Sequence, residues 1–439
     1  MMQYQNYWLK KTLALSLFVM FLAGPVFAAS TVTPADKMNE EWWANRHAGV
    51  LEQVKGGNVD LILLGDSINH GWEGDGKAVF DKYYGHRNAV NMGYGGDRTE
   101  HVLWRLENGE IDGISPKVVS LMIGTNNYGT NTAEEIGAGI VAIVQKLREK
   151  LPDTKVLILA IFPRGEKPSE MRDTLAKAST IASGIADGNM IHYLDIGQTF
   201  LTEDGTLTKE IMPDALHPNA YGYELWAAAV EPKIAELMGE VVPPTGFRAL
   251  FNGLDLRGWK GLVEDPKARA LMTPEELAEK QAKADERMRA HWKVEDGALV
   301  FDGKGDSLCT DRDYADFEML VDWKILEKGD SGIYLRGTPQ VQIWDTAEWP
   351  EGSGGLYNNQ KNPSKPLKCA DKPIKEWNTF RIKMVGEKVT VHLNGELVVD
   401  NVTLENYWER DKPIYPTGQI ELQNHGNTLW FKNVFIKEL

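Results

Sequence analysis

The chain has 439 residues, a formal net charge of -15, and 42% hydrophobic against 25% charged residues. That length exceeds what one hydrophobic core ordinarily supports, so two domains are expected, and the composition is that of a soluble globular protein. The acidic balance argues against nucleic acid as a partner and does not invite anionic membrane surfaces.

Residues 1–28 read as an export signal. Lys10 and Lys11 precede an apolar run from Leu13 to Leu22, and Val26-Phe27-Ala28 supplies a small-residue cleavage site. The run is short for a membrane span, so cleavage after Ala28 is expected, giving a periplasmic or extracellular chain with no span. An uncleaved N-terminal anchor is the alternative. In such a compartment Cys309 and Cys369 can pair, or stand as two buried thiols, and both readings stay open.

In residues 29–238 apolar runs alternate with helical patterns. Residues 41–55 predict a helix whose Trp42 and Trp43 pack on a sheet. Strands are expected at 61–64, 89–92, 118–123, 156–162 and 190–194, and helices at 98–106, 132–150, 169–186 and 221–238, which argues a parallel sheet covered on both faces. The first strand runs abruptly into Gly65-Asp66-Ser67. A serine at the carboxyl end of a buried parallel strand stands where open α/β sheets bind ligands, although Ser and Asp are also ordinary helix caps. Two further strands end in NMGYGGDRT, with Gly96, and GTNN, with Asn126. Before the last helix, Asp214 precedes His217 by three residues, close enough to fold back on the imidazole and fix its tautomer.

Taken together, GDSINHGW, NMGYGGDRTEHVLWRLENGE, KVVSLMIGTNN and IMPDALHPNAYGY resemble the SGNH or GDSL hydrolase family, in its platelet-activating-factor acetylhydrolase catalytic-subunit branch. The resemblance implies a three-layer α/β flavodoxin-like fold, Ser67 as nucleophile, His217 as general base and Asp214 as its orienting carboxylate. It also implies an oxyanion hole from the Gly96 N–H, the Asn126 side chain and the Ser67 N–H. Trp72, Tyr94 and Phe162 are candidates to bound a small acyl pocket.

GEVVPPTG at 239–246 is a Pro/Gly break, read as a short linker that restricts domain motion. Residues 247–439 then carry many short strands with Gly, Pro and Asn turns, the pattern of a β-sandwich or jelly roll. Residues 265–291 interrupt it as a solvated helical excursion. Strand alternation puts Glu318 with Asp322, Tyr334 with Arg336, Gln342 with Trp344, and Glu421 with Gln423 and His425 on shared sides. If those sides meet in one concavity they form a sugar groove, with aromatics for ring faces and planar polar groups for hydroxyls. FRALFNGLDLRGWKG, GDSGIYLRG, VQIWDT, GSGGLYNNQKNP and GQIELQNHGNTLWFKNVFIKEL resemble the 3-keto-disaccharide hydrolase domain, whose fold is similar to concanavalin-like jelly rolls. That resemblance implies cleavage of 3-keto-glycosides by removal of the proton beside the ketone.

The expected protein is a secreted carbohydrate-active hydrolase, a glycan O-acetyl esterase joined to a sugar-binding or 3-keto-glycoside-cleaving domain. Two alternatives remain: an esterase carrying a non-catalytic carbohydrate-binding module, and a surface binding protein with a vestigial triad. The expected partner is a small-molecule or glycan substrate. No cofactor or metal is called for by the sequence, and no oligomeric state is read from it.

Overall fold

The computed structural model describes residues 30–439, and the export signal expected at residues 1–28 lies outside the described residues. Among the described residues no helix is long and apolar enough to cross a membrane.

The first half alternates strands and helices. In order they are α1 (Glu41–Val54), β1 (Leu61–Gly65), α2 (Ser67–His70), α3 (Lys77–Tyr83), β2 (Ala89–Gly93), α4 (Thr99–Glu107) and β3 (Val118–Met122). There follow α5 (Ala133–Lys150), β4 (Lys155–Leu159), α6 (Glu170–Ser183), β5 (Ile191–Leu194) and α7 (Ala220–Met238). The five strands pair in parallel in the order β2-β1-β3-β4-β5. Because β1 and β3 are central they are buried at every position and, Ser120 apart, carry no polar side chain, as a sheet covered on both faces requires. One core lies on each face: Ile62, Leu64 and Val119 point to one, Leu61, Leu63 and Val118 to the other. Thr132 and Glu135 form a reciprocal cap that fixes the start of α5. The short α2 and α3 fall where no helix range was expected.

The second half is antiparallel. Its elements are β6 (Arg248–Ala249), β7 (Trp259–Gly261), α8 (Pro266–Arg269), α9 (Pro274–His291), β8 (Trp292–Glu295), β9 (Ala298–Phe301), β10 (Leu308–Thr310) and β11 (Phe317–Ile325). After these come β12 (Asp330–Leu335), β13 (Thr338–Trp344), β14 (Asn378–Val385), β15 (Lys388–Leu393), β16 (Glu396–Thr403), β17 (Glu421–Leu422) and β18 (Leu429–Glu438). One sheet runs β16-β15-β14-β11-β18-β9-β8, with β6 added beside β18, and the other runs β13-β12-β17-β10-β7. The larger sheet alternates as a half-solvated sheet should: in β14 Phe380, Ile382 and Met384 are buried and their neighbours exposed. These inward residues and those of the smaller sheet make one sandwich core. The helical excursion is α8 and α9. It is mostly solvated but fastened to the sandwich, since Ala284 and Met288 are buried and a Cβ on Gly261 would lie 2.3 Å from the Ala284 carbonyl. Cys309 is buried, Cys369 is exposed, and they are not bonded to each other.

The two halves meet at the amino-terminal ends of the parallel strands. Arg257 reaches Asp60, the residue before β1, at 2.9 Å, and Lys82 lies 3.4 Å from Glu438 on β18. Where the chain leaves α7, the buried Arg87 is held between Glu231 at 2.6 Å and Glu240 at 2.5 Å.

Candidate active site

At the opposite, carboxyl edge of the parallel sheet, β1 passes directly into α2, so Ser67 stands in the first turn of a helix. The turn packs closely because two glycines line it: a Cβ on Gly65 would lie 2.3 Å from Asn69 Oδ1, and one on Gly93 2.2 Å from the His70 amide nitrogen. Asp66 accepts the Ile68 amide at 3.0 Å. Burial pushes the Asp66 carboxyl up to about 7, so below that pH it adds no full negative charge beside the serine.

The loop before α7 brings the histidine. Asp214 Oδ1 accepts the amides of Leu216 at 3.0 Å and His217 at 2.7 Å, and Ala215 between them takes a φ of 57°. The other carboxylate oxygen lies 2.6 Å from His217 Nδ1, and His217 Nε2 lies 2.9 Å from Ser67 Oγ. Burial alone would raise the Asp214 carboxyl, but hydrogen bonds from the His217 backbone and ring hold it below the ordinary carboxylate range. The arrangement is open to solvent, with the His217 and Asp214 side chains 41% and 55% exposed.

Gly96 adopts a left-handed φ of 67°, and Asn126 Nδ2 donates to the Asp97 carbonyl at 3.0 Å, which ties the amide to the Gly96 loop. Among the described residues, neither the Gly96 N–H nor the Ser67 N–H donates to another protein atom. Under this loop Asp97 accepts Trp43 Nε1 at 2.8 Å and Arg105 Nε at 2.9 Å, and Arg105 Nη1 reaches Glu110 at 2.6 Å. This buried network holds the loop from below and was not foreseen. Its signal was the arginine on the inward face of α4.

The three aromatics expected around the acyl group are core instead. Trp72 packs against Tyr223 and Trp226, Phe162 against Phe200, and Tyr94 under the Arg105 guanidinium, each 0–2% exposed. Large rings beside a strand end fill the layer between sheet and helix before they reach a cleft.

A second concavity of about 260 Å³ lies on the smaller sheet of the sandwich. Of the nine residues expected in one groove, Tyr334, Gln342, Trp344, Gln423 and His425 line it. Glu318 and Asp322 do not, because β11 belongs to the other sheet, where Glu318 pairs with Arg381 and Asp322 accepts Thr379 and Asn433. Arg336 turns away at a φ of 54° to hold the Ala315 carbonyl and Asp316. Glu421 is buried 3.8 Å from Arg269, and burial pushes its carboxyl up to about 7. Asp330, Trp349 and Tyr407, which line the same concavity, were missed. Asp330 was legible, since it precedes Tyr334 by four residues and so shares its face. It accepts Gln342 Nε2 at 2.7 Å and lies 3.5 Å from His425 Nδ1. Trp344 and Trp349 stack at 5.2 Å, and Gln423 Oε1 is buried without a hydrogen-bond partner.

Comparison with known proteins assigns both halves. Residues 63–225 match the model of the GDSL-like lipase/acylhydrolase family, and residues 246–437 that of the 3-keto-alpha-glucoside-1,2-lyase-like domain. The human platelet-activating factor acetylhydrolase IB subunit alpha1 is 33% identical over 224 residues, covering 50% of this chain and 94% of the relative. The chain belongs to the GDSL acylhydrolases. The chicken alpha2 subunit is 34% identical over 206 residues, covering 47% of this chain and 89% of that protein. Among solved structures, an acetylxylan esterase from Geobacillus stearothermophilus is similar at 19% identity and a TM-score of 0.34, covering 41% of this chain and 94% of that one. This GDSL acylhydrolase is a serine hydrolase of ester bonds, fused to a 3-keto-disaccharide hydrolase-like domain.

Proposed function

We propose that the protein is an exported carbohydrate-active hydrolase in which Ser67, His217 and Asp214 remove O-acetyl groups from a glycan. The observation that carries this reading is the continuous relay from Ser67 Oγ through His217 to Asp214, at 2.9 and 2.6 Å. With Asp214 ionised, the imidazole keeps its proton on Nδ1 and offers Nε2 to the serine hydroxyl. Ser67 attacks the ester carbonyl while His217 takes its proton. The oxyanion that forms is met by the Gly96 and Ser67 N–H groups and by Asn126 Nδ2. His217 then returns the proton to the leaving alcohol, and water cleaves the acyl-serine by the same steps in reverse. Acetyl is favoured as the acyl group by the activity for which the 33%-identical relative is named, and the sugar by the company of the second domain. An apolar N-terminal run with a small-residue cleavage site supports export.

The test is hydrolysis of p-nitrophenyl acetate and butyrate by the mature chain and Ser67→Ala, with fluorophosphonate labelling of both. Acetate should be cleaved faster than butyrate and only the wild type should label. Unchanged hydrolysis in Ser67→Ala would overturn the assignment.

For the second domain, we propose that the 260 Å³ concavity binds a sugar, with Asp330 orienting His425 as the base that takes the proton beside a 3-keto group. The stacked Trp344 and Trp349, with Gln342 and Gln423 beside them, support this, since aromatic faces and planar polar groups suit a sugar ring. Loss of 3-keto-glycoside turnover in His425→Ala with ester hydrolysis intact would bear this out. Turnover of no 3-keto-glycoside by the wild type, with sugar binding retained, would reduce the domain to a binding module.

A further inference from the structure

Trp43 packs inward from α1 as expected, but Trp42 does not: it is 43% exposed. A single exposed aromatic needs no explanation, so its position decides what it means. The indole lies nearly parallel to the His70 ring, at 15° and 6.4 Å between centroids, and His70 is the last residue of the turn that begins with Ser67. A Cβ on Gly95 would lie 3.7 Å from Trp42 Cη2 and 3.9 Å from His70 Nδ1, so the pair borders the backbone immediately before Gly96. Two charged groups rim it. Glu40 accepts Trp42 Nε1 at 2.9 Å, and Lys37 Nζ donates to the Gly96 carbonyl at 2.9 Å.

We propose that Trp42, backed by His70, is a stacking platform that holds a pyranose ring of the acylated glycan beside the ester site, with Glu40 accepting its hydroxyls. The inference rests on the glycan-ester reading above and names a residue that sets its specificity. A pyranose with equatorial substituents presents a flat face of C–H groups, which the negative face of an indole attracts, while a carboxylate at the ring edge reads hydroxyls. The His70 ring runs parallel to the indole at 6.4 Å, and the indole keeps 43% of its surface open to solvent, where a sugar can lie. Burial and the neighbouring Arg46 hold the His70 ring below the usual imidazole range, so the backing ring is neutral at physiological pH. The platform is also preorganised. The Trp42 indole is tied to Glu40 at 2.9 Å, and Trp43 beside it anchors this turn of α1 through Asp97 and the rings of Tyr94 and Trp104, so little freedom is lost on binding.

A platform that touches the sugar and not the reacting carbonyl serves ground state and transition state alike, so it lowers KM without changing kcat. The test compares wild type, Trp42→Ala and Trp42→Phe on O-acetylated xylo-oligosaccharides and on p-nitrophenyl acetate, with sedimentation of each. Trp42→Ala should raise KM for the oligosaccharide about tenfold at unchanged kcat and leave p-nitrophenyl acetate within about twofold, and Trp42→Phe should recover most of the loss. An unchanged KM in Trp42→Ala, an equal loss on both substrates, or dissociation of a wild-type oligomer on substitution would overturn the platform while leaving the glycan reading in place. If the wild type itself cleaves p-nitrophenyl acetate but no acetylated oligosaccharide, the glycan reading falls and the platform with it.

Discussion

The two candidate sites of this molecule are built in opposite ways. The proposed ester site gathers residues from loops that follow a strand or lead into a helix, so every member sits in a short block with its own turn chemistry. Ser67 follows β1, Gly96 follows β2 and Asn126 follows β3. The sugar-domain concavity gathers residues from β12, β13, the β17 edge and long loops, and which of them meet depends on which strand joins which sheet. A site of the first kind can be read along the chain, whereas a site of the second kind needs the strand order first.

The sharpest break of this comparison is Ser67→Ala. It should lower kcat/KM for p-nitrophenyl acetate by about 10⁴-fold or more and leave sugar binding by the second domain unchanged in calorimetry. His425→Ala is the reciprocal experiment. It should cost about 10²- to 10⁴-fold in 3-keto-glycoside turnover, the usual worth of a general base, with ester cleavage within about twofold. Coupled losses in either variant would mean that the two sites are not independent. A smaller effect sharpens the ester side: Asn126→Ala should lower kcat about 10²- to 10³-fold with KM little changed, as expected for a donor used only when charge develops on oxygen.

The smallest effect separates a member of the expected groove from the groove itself. Glu421, with its carboxyl raised to about 7 from an ordinary 4.5, keeps its proton when folded and loses it when unfolded across that interval. The native state therefore binds more protons there, and this group's contribution to stability falls as pH rises from about 4.5 to 7. Glu421→Gln should leave stability near wild type at pH 5 and raise it at pH 8 by on the order of 1–3 kcal/mol, read as a higher Tm there, without changing sugar affinity. Tm curves that stay parallel from pH 5 to 8 would show that Glu421 remains ionised. Asp66 titrates in the same interval, so some slope should persist in the variant.

The parallel sheet was legible because its strands are short, largely apolar runs and its helices carry their own start signals, such as Thr132 with Glu135. The convergence of Ser67, His217 and Asp214 was legible for the same local reason. The groove was half legible. Alternation correctly separates Glu318 and Asp322 from Met319, Val321 and Trp323, but it says only that they face away from the core, not which sheet's outer face they share. Arg336 escaped because the register shifts between Ile333 and Leu335, and a strand's period of two ends at such a shift. Trp42 and Trp43 are adjacent on one helix and therefore point about 100° apart, so one of the pair had to leave the sheet.

The junction between the halves adds a constraint of traffic. The sandwich is fastened at the amino-terminal ends of the strands through Arg257 and Asp60, and β1 is five residues, or roughly 17 Å, long from that end to the turn bearing Ser67. The proposed ester site therefore stands at the opposite edge of the sheet from the junction. Under the proposed reading, one polymer that touches both Ser67 and the junction has to reach along that whole length of the sheet.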